Sequence, residues 1–209
     1  MNYVNELIER YPVLANNAES IESAISTLEE VYRNGGKILI CGNGGSCADA
    51  EHISGELLKG FLLKRPLSEP LRAAIADADC ERTSRLLQGG IPAIPLASLT
   101  SVLSAFANDV DPELVFAQLV LALGKPGDAL VCLSTSGNSR NVVKAALTAG
   151  ACQIKTVSLT GNGGGRLGEI SDVCITAPER ETFKIQELHL PIYHAICAEL
   201  ERRVFGDDC

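Results

Sequence analysis

A chain of 209 residues, 46% hydrophobic and 21% charged, is sized for one α/β unit with a full core and is too short for two comfortable ones. Its net charge of −8 argues against nonspecific nucleic-acid binding, which depends on clustered lysine and arginine, but leaves room for a small anion held by backbone N–H groups. Tryptophan is absent and aromatics make up 4%, so the core must be built from Leu, Ile, Val and Ala, as in buried parallel sheets.

In chain order, a helix is expected over 3–11 and a second over 16–34. In the second, Ile21, Ala24, Ile25, Leu28 and Val31 recur at steps of three and four and form one core-facing stripe. Gly35 and Gly36 end it and lead into a strand over 37–41. A glycine-rich turn follows, then a helix over 46–60. Residues 64–90 are less legible: Pro66 and Pro70 break the chain, and 71–78 and 82–87 each read as a short helix. A strand is expected over 91–97, weakened by Pro92 and Pro95. Helices over 101–107 and 112–123 come next, with Asn108 and Asp109 in the turn between them. The near-continuous apolar run 128–133 is a strand, followed by Ser134-Thr135-Ser136-Gly137-Asn138-Ser139 and a helix over 140–149. A strand over 154–159, a glycine-rich loop over 160–165, a short helix near Leu167, a strand over 173–176 and a long helix over 182–204 complete the chain. About five apolar strands alternating with helices call for a doubly wound parallel sheet with helices on both faces. Ligands of such sheets bind beyond the carboxyl ends of the strands, where the loops after Cys41, Leu133 and Leu159 collect Gly, Ser, Thr and Asn.

The opening segment MNYVNELIERYPVL alternates charged and apolar side chains without a signal-peptide pattern, and no apolar run reaches membrane length. The eight cysteines, at positions 41, 47, 80, 132, 152, 174, 197 and 209, form no C-x-x-C pair, so a zinc ribbon or thioredoxin-type site is disfavoured and a reduced cytoplasmic setting is expected.

Two loops carry the chemistry. In KILICGNGGSCADAEHISGE (37–56), strand, glycine turn and helix start follow without a spacer, so several N–H groups and a helix N-terminus meet at one point. The turn lacks the third glycine of a dinucleotide fingerprint and the lysine of a P-loop. The hydroxyls of Ser134, Thr135, Ser136 and Ser139 crowd more closely than a helix cap requires, which favours a phosphate nest. His52 and Glu56 are four residues apart and share a helix face, where they can converge on one ligand or metal. On the last helix Gln186 and His194, eight apart, lie roughly on one side, while His189 reads as structural; Pro191 should kink this helix. Glu51 and Glu187 read as solvated or packing residues.

Taken together, GNGGSCADAEHISGE, STSGNS, LTGNGGG and KIQELHLPIYH resemble the sugar isomerase (SIS) domain family over nearly the whole chain, and within it the phosphoheptose isomerases. The resemblance implies a single SIS domain over 1–209 with N-terminal helices, a homotetramer with active sites near subunit boundaries, and one zinc ion per site. It implies that Asn43, Gly44, Gly45, Ser46, Asn108, Asp109, Ser134, Thr135, Ser136 and Ser139 line a sugar-phosphate pocket. His52, Glu56, Gln186 and His194 match the family's zinc ligands, with Glu56 and Gln186 also facing substrate. The implied reaction converts sedoheptulose 7-phosphate to D-glycero-D-manno-heptose 7-phosphate. Such a ketose–aldose interconversion needs a base beside the carbonyl and an acid at its oxygen; Glu56 and His194 are assigned these roles, through an enediol. The chain departs from the usual heptose enzymes in its longer 62–90 connection. Two alternatives stay open: an isomerase of another sugar phosphate, and a noncatalytic SIS-domain sugar-phosphate-binding or replication-initiation regulatory protein. Retention of Glu56 and His194 favours an enzyme.

Overall fold

The computed structural model describes residues 2–206; Cys209 lies outside them. Its centre is a five-stranded, all-parallel sheet in the order β2-β1-β3-β4-β5, formed by β1 (Ile38–Gly42), β2 (Ala93–Pro95), β3 (Ala129–Ser134), β4 (Lys155–Thr160) and β5 (Val173–Thr176). Every residue of β1 and β3 is buried, as expected where both faces are covered. Side chains alternate between two cores. Ile38, Ile40, Val131, Leu133, Val157 and Leu159 face one, against α2 (Ala18–Arg33), α3 (Gly45–Leu58) and α10 (Thr182–Phe205). Leu39, Cys41, Leu130 and Cys132 face the other, against α7 (Val115–Leu123) and α8 (Arg140–Ala151). Burying one such Leu or Ile contributes about 1.5–3 kcal/mol, so the aliphatic core needs no tryptophan.

The expected architecture is present, with shifts at the edges of elements. Residues 12–17 form a 3-10 turn ahead of α2, because Pro12 fixes the entry of a new helical segment. The strand expected over 91–97 shortens to three residues. Its prolines cost little there because β2 is an edge strand, and the Pro92 carbonyl accepts from the Ile38 N–H. Asn108 and Asp109, expected in a turn, are the last two residues of α6 (Thr100–Asp109). A 3-10 turn at Pro112–Leu114, capped by the Asp111 carboxylate, precedes α7. α10 runs on through Pro191 as one helix of 24 residues.

The long connection contains α4 (Glu69–Ala78) and α5 (Glu81–Leu86), which pack on each other and leave Leu71, Leu86 and Leu87 exposed. Its two feet are joined. Gly89 N–H donates to the Arg65 carbonyl, Gly60 N–H to Gln88, and Ile91 N–H to the Leu57 carbonyl. Beneath them Arg65 and Glu201 form an ion pair of 2.7 Å between fully buried side chains. The remaining capacity of Glu201 accepts the N–H groups of Phe61, Leu62 and Leu63, so neither charge lacks a partner.

Candidate active site

In the strand order 2-1-3-4-5 the winding direction reverses between β1 and β3, and the loops leaving these two strands flank the crevice. The β1 loop turns on Gly44, whose φ of +56° a side chain would strain. The Ser46 N–H donates to the Asn43 carbonyl and the Cys47 N–H to that of Gly44, which starts α3. The β3 loop turns on Gly137 at φ +65°, where a Cβ would collide with the Gly164 carbonyl oxygen of the β4 loop. Within it Ser134 and Ser139 hydroxyls lie 2.9 Å apart, and the Asn138 N–H donates to the Ser136 hydroxyl. Arg166 N–H donates to the Asn138 side chain, fastening the third loop. Asn43 and Asn141 exchange two side-chain hydrogen bonds of 2.9 Å, which join the glycine turn to the first turn of α8 behind the hydroxyl loop. Asn43, Gly44, Gly45, Ser46, Ser134, Thr135, Ser136 and Ser139 thus lie on two linked loops at one end of the sheet. Asn108 and Asp109 are bonded to each other at the exposed end of α6. From there the chain reaches α8 through the Arg140–Glu113 ion pair of 2.7 Å.

The second part of the site lies where α3 packs on α10. On α3, Ala50, Ile53 and Leu57 go into the core, which turns Asp49, His52 and Glu56 along the neighbouring stripe toward α10. His52 Nε2 is 3.2 Å from Glu56 Oε1 and 3.4 Å from His194 Nε2. The two imidazoles meet edge to face at 4.9 Å between centroids, and Phe61 closes over His194 at 5.6 Å. Gln186, two turns before His194, lies over the glycine turn instead, so tightly that a Cβ on Gly45 would come 2.5 Å from its Nε2. The structure therefore joins His52, Glu56 and His194 directly and puts Gln186 on the neighbouring loop. His189 is fully buried and bonds the Thr160 carbonyl through Nε2. It has the structural place expected of it. Glu51 accepts from Ser98 at the exposed surface.

Burial opposes the charge on Glu56. The Lys59 hydrogen bond (3.0 Å) and charge, with His52, outweigh it and hold the carboxyl below its ordinary range. Burial and the neighbouring His52 lower His194, against the pull of Glu56, which keeps its imidazole neutral. Burial pushes the Asp49 carboxyl up despite its bond to Tyr193, and burial with Asp49 raises the Tyr193 phenol, which stays protonated. Asp49, Lys59, Asn141 and Tyr193 escaped the sequence reading. The spacings i−3 and i+3 about His52 and Glu56 were the available signal for two of them; Tyr193 and Asn141 depend on how helices pack. His194 also borders a cleft of about 330 Å³ with Arg10, Tyr11, Phe61 and Pro191, whose lining among the described residues includes neither ligand loop.

Residues 1–88 and 77–161 match the SIS domain family. The chain belongs to that family. It is 36% identical over 205 residues to the phosphoheptose isomerase of Akkermansia muciniphila, covering 98% of this chain and 96% of the relative. It is 39% identical over 187 residues to that of Geotalea daltonii, covering 90% and 85%. The solved phosphoheptose isomerase of Neisseria gonorrhoeae superposes on this SIS domain with a TM-score of 0.75 at 32% identity, covering 94% of each chain. These relatives place the SIS domain in the phosphoheptose isomerase branch. Among the described residues, no helix of this SIS domain is long and apolar enough to cross a membrane. Nor, among those residues, is any group of three or more His, Cys, Asp and Glu side chains spaced to hold a metal ion as it stands.

Proposed function

We propose that the chain is a ketose–aldose isomerase acting on a phosphosugar, with sedoheptulose 7-phosphate as its ketose and D-glycero-D-manno-heptose 7-phosphate as its aldose. The observation that carries this reading is the convergence of His52, Glu56 and His194 beside two anion-suited loops, in a chain like phosphoheptose isomerases over nearly its whole length. The phosphate sits on the N–H groups and hydroxyls of Ser134, Thr135, Ser136 and Ser139, and the sugar extends past Asn43, Gly44, Gly45 and Ser46. Gln186, against Gly45, orients the sugar hydroxyls, and Asn108 and Asp109 complete the pocket. Glu56, ionised at neutral pH, takes the proton from C1 beside the C2 carbonyl, exchanges it with solvent at the enediol stage and delivers a proton to C2. His194, neutral, gives its N–H proton to the C2 carbonyl oxygen and is restored by the proton that leaves the C1 hydroxyl as C1 becomes the aldehyde.

His52, Glu56, Gln186 and His194 are residue types that suit the family's zinc, and they are the residues that would hold it. As they stand they do not close on a metal: His52 Nε2 is 3.2 Å from Glu56 Oε1 and 3.4 Å from His194 Nε2, while Gln186 lies over Gly45 and would have to turn toward them. Bound there, the ion would polarise the carbonyl and stabilise the developing enediolate. Glu56 then has two tasks, and Lys59, its present cationic neighbour, keeps it charged in either. The chain acts as one SIS unit, and we place it in the cytoplasm as a homotetramer. Exposed Phe183 and Leu190 on α10, near Gln186, support subunit packing there. Incubation of purified protein with sedoheptulose 7-phosphate and other ketose phosphates, with and without chelator, tests the reading. Aldose formation that is fastest with the heptulose supports it; turnover of a different ketose phosphate alone reassigns the substrate; no turnover of any refutes it.

A further inference from the structure

The two loops that flank the crevice differ in what holds them. The hydroxyl loop after β3 is tied down on its far side, where Leu167 N–H donates to the Gly137 carbonyl and Arg166 N–H to Asn138. The glycine turn after β1 is looser by composition. Asn43, Gly44 and Gly45 are exposed, and a Cβ on Gly44 would meet nothing within 4 Å. Such freedom lets N–H groups converge on an anion, but ordering the turn at the moment of binding costs affinity unless it is held beforehand.

The side chain of Asn43 supplies a hold. Its Nδ2 donates to Asn141 Oδ1 and its Oδ1 accepts from Asn141 Nδ2, both at 2.9 Å. The orientation of the pair is dictated from α8. Asn141 Oδ1 also accepts the Val142 N–H at 3.0 Å, one of the first-turn donors that a helix leaves without an internal partner. That fixes which end of the Asn141 amide is oxygen, and reciprocity then fixes Asn43. A planar amide bonded at both ends cannot rotate. The glycine turn is thereby kept at one distance from α8, the helix that begins where the hydroxyl loop ends.

We propose that Asn141 is a positioning residue: its amide pins that of Asn43 and so sets the glycine turn against the hydroxyl loop, ready for both to grip one sugar phosphate. Its purpose rests on the isomerase reading; its mechanics do not. Amide hydrogen exchange reads the mechanics, because the Ser46 and Cys47 N–H groups bond the Asn43 and Gly44 carbonyls within the turn. Asn141→Ala is expected to speed exchange at these two amides by about 10-fold, within the coupling range of residues in direct contact, and to leave β4 unchanged. Asn43→Ala is expected to do the same, and the double variant no more than either. Asn141→Asp guards against a merely weakened α8. Its carboxylate still accepts from Val142 and suits a helix N-terminus, but it sets a second oxygen against Asn43 Oδ1, so exchange should rise with the melting temperature held. In turnover of sedoheptulose 7-phosphate, Asn141→Ala should raise KM about 10-fold with kcat within about twofold, and raise it no further in the Asn43→Ala background. Unchanged exchange at Ser46 and Cys47 in both Asn141 variants overturns the proposal, as do effects of the two alanine variants that simply add, or a fall in kcat at unchanged KM. A wild type that turns over no ketose phosphate, with the exchange coupling intact, removes the isomerase reading and leaves the strut standing.

Discussion

At the scale of single residues, Glu56 keeps its charge because Lys59 and His52 outweigh the cost of partial burial, and a resting base must meet that condition at neutral pH. Glu56→Gln keeps the shape and removes the basic oxygen, so turnover of the ketose should fall by about 10²–10⁴-fold while the melting temperature barely moves. Activity within a few-fold of wild type would remove Glu56 from the proton transfer. Gly45 supplies a second prediction of a different kind. A Cβ there meets the end of the flexible Gln186 side chain, and the backbone needs no positive φ. Gly45→Ala should therefore fold normally, displace the Gln186 amide and cost activity; crystals of the variant with Gln186 unmoved would contradict this. The i, i+4 spacing made the His52–Glu56 pair legible in the sequence, because both lie on one helix. Tyr193 was not legible, because its partners are on α3 and nothing in one helix states the rotation at which another packs.

The elements show the same division. The existence of the strands and the burial of both sheet faces follow from apolar run length, and all five expected strands are present; their order, β2-β1-β3-β4-β5, is set by how the crossovers pack and was not legible in the sequence. The 62–90 connection was legible as two short helices but not as an anchored excursion, since the residue that holds its base, Glu201, lies far along α10. The ion pair beneath it is fully desolvated, so removing one partner strands a buried charge. Glu201→Ala should lower unfolding stability by about 3–5 kcal/mol in denaturant titrations. A loss below about 1 kcal/mol, the range of surface pairs, would show that the base is wet. Asn108 and Asp109 were misread as a turn because the helix before them continues to its acidic end without a glycine or proline to stop it.

For the molecule as a whole, two histidines set an acid limit. Burial lowers His189 despite its bond to the Thr160 carbonyl, and burial with His52 lowers His194. Below the ordinary imidazole value of about 6.5 the unfolded chain binds protons that the folded chain does not. Stability therefore rises with pH through that window and falls as the pH drops below it, with the loss complete only below the folded values. Denaturant titrations should show the decline on going from about pH 7.5 to about pH 5.5, and His189→Gln should flatten it; an unchanged slope would mean that His189 titrates freely. The sheet, the two loops and the α3–α10 contact all serve one proposed act, the movement of a proton between adjacent sugar carbons through an enediol. Isomerisation of sedoheptulose 7-phosphate in deuterium oxide, read by NMR, tests this most directly. Transfer by Glu56 predicts deuterium at C2 of the aldose and aldose formation slowed by about 10²–10⁴-fold in Glu56→Gln; aldose free of deuterium at C2, or formed by Glu56→Gln at the wild-type rate, would contradict it.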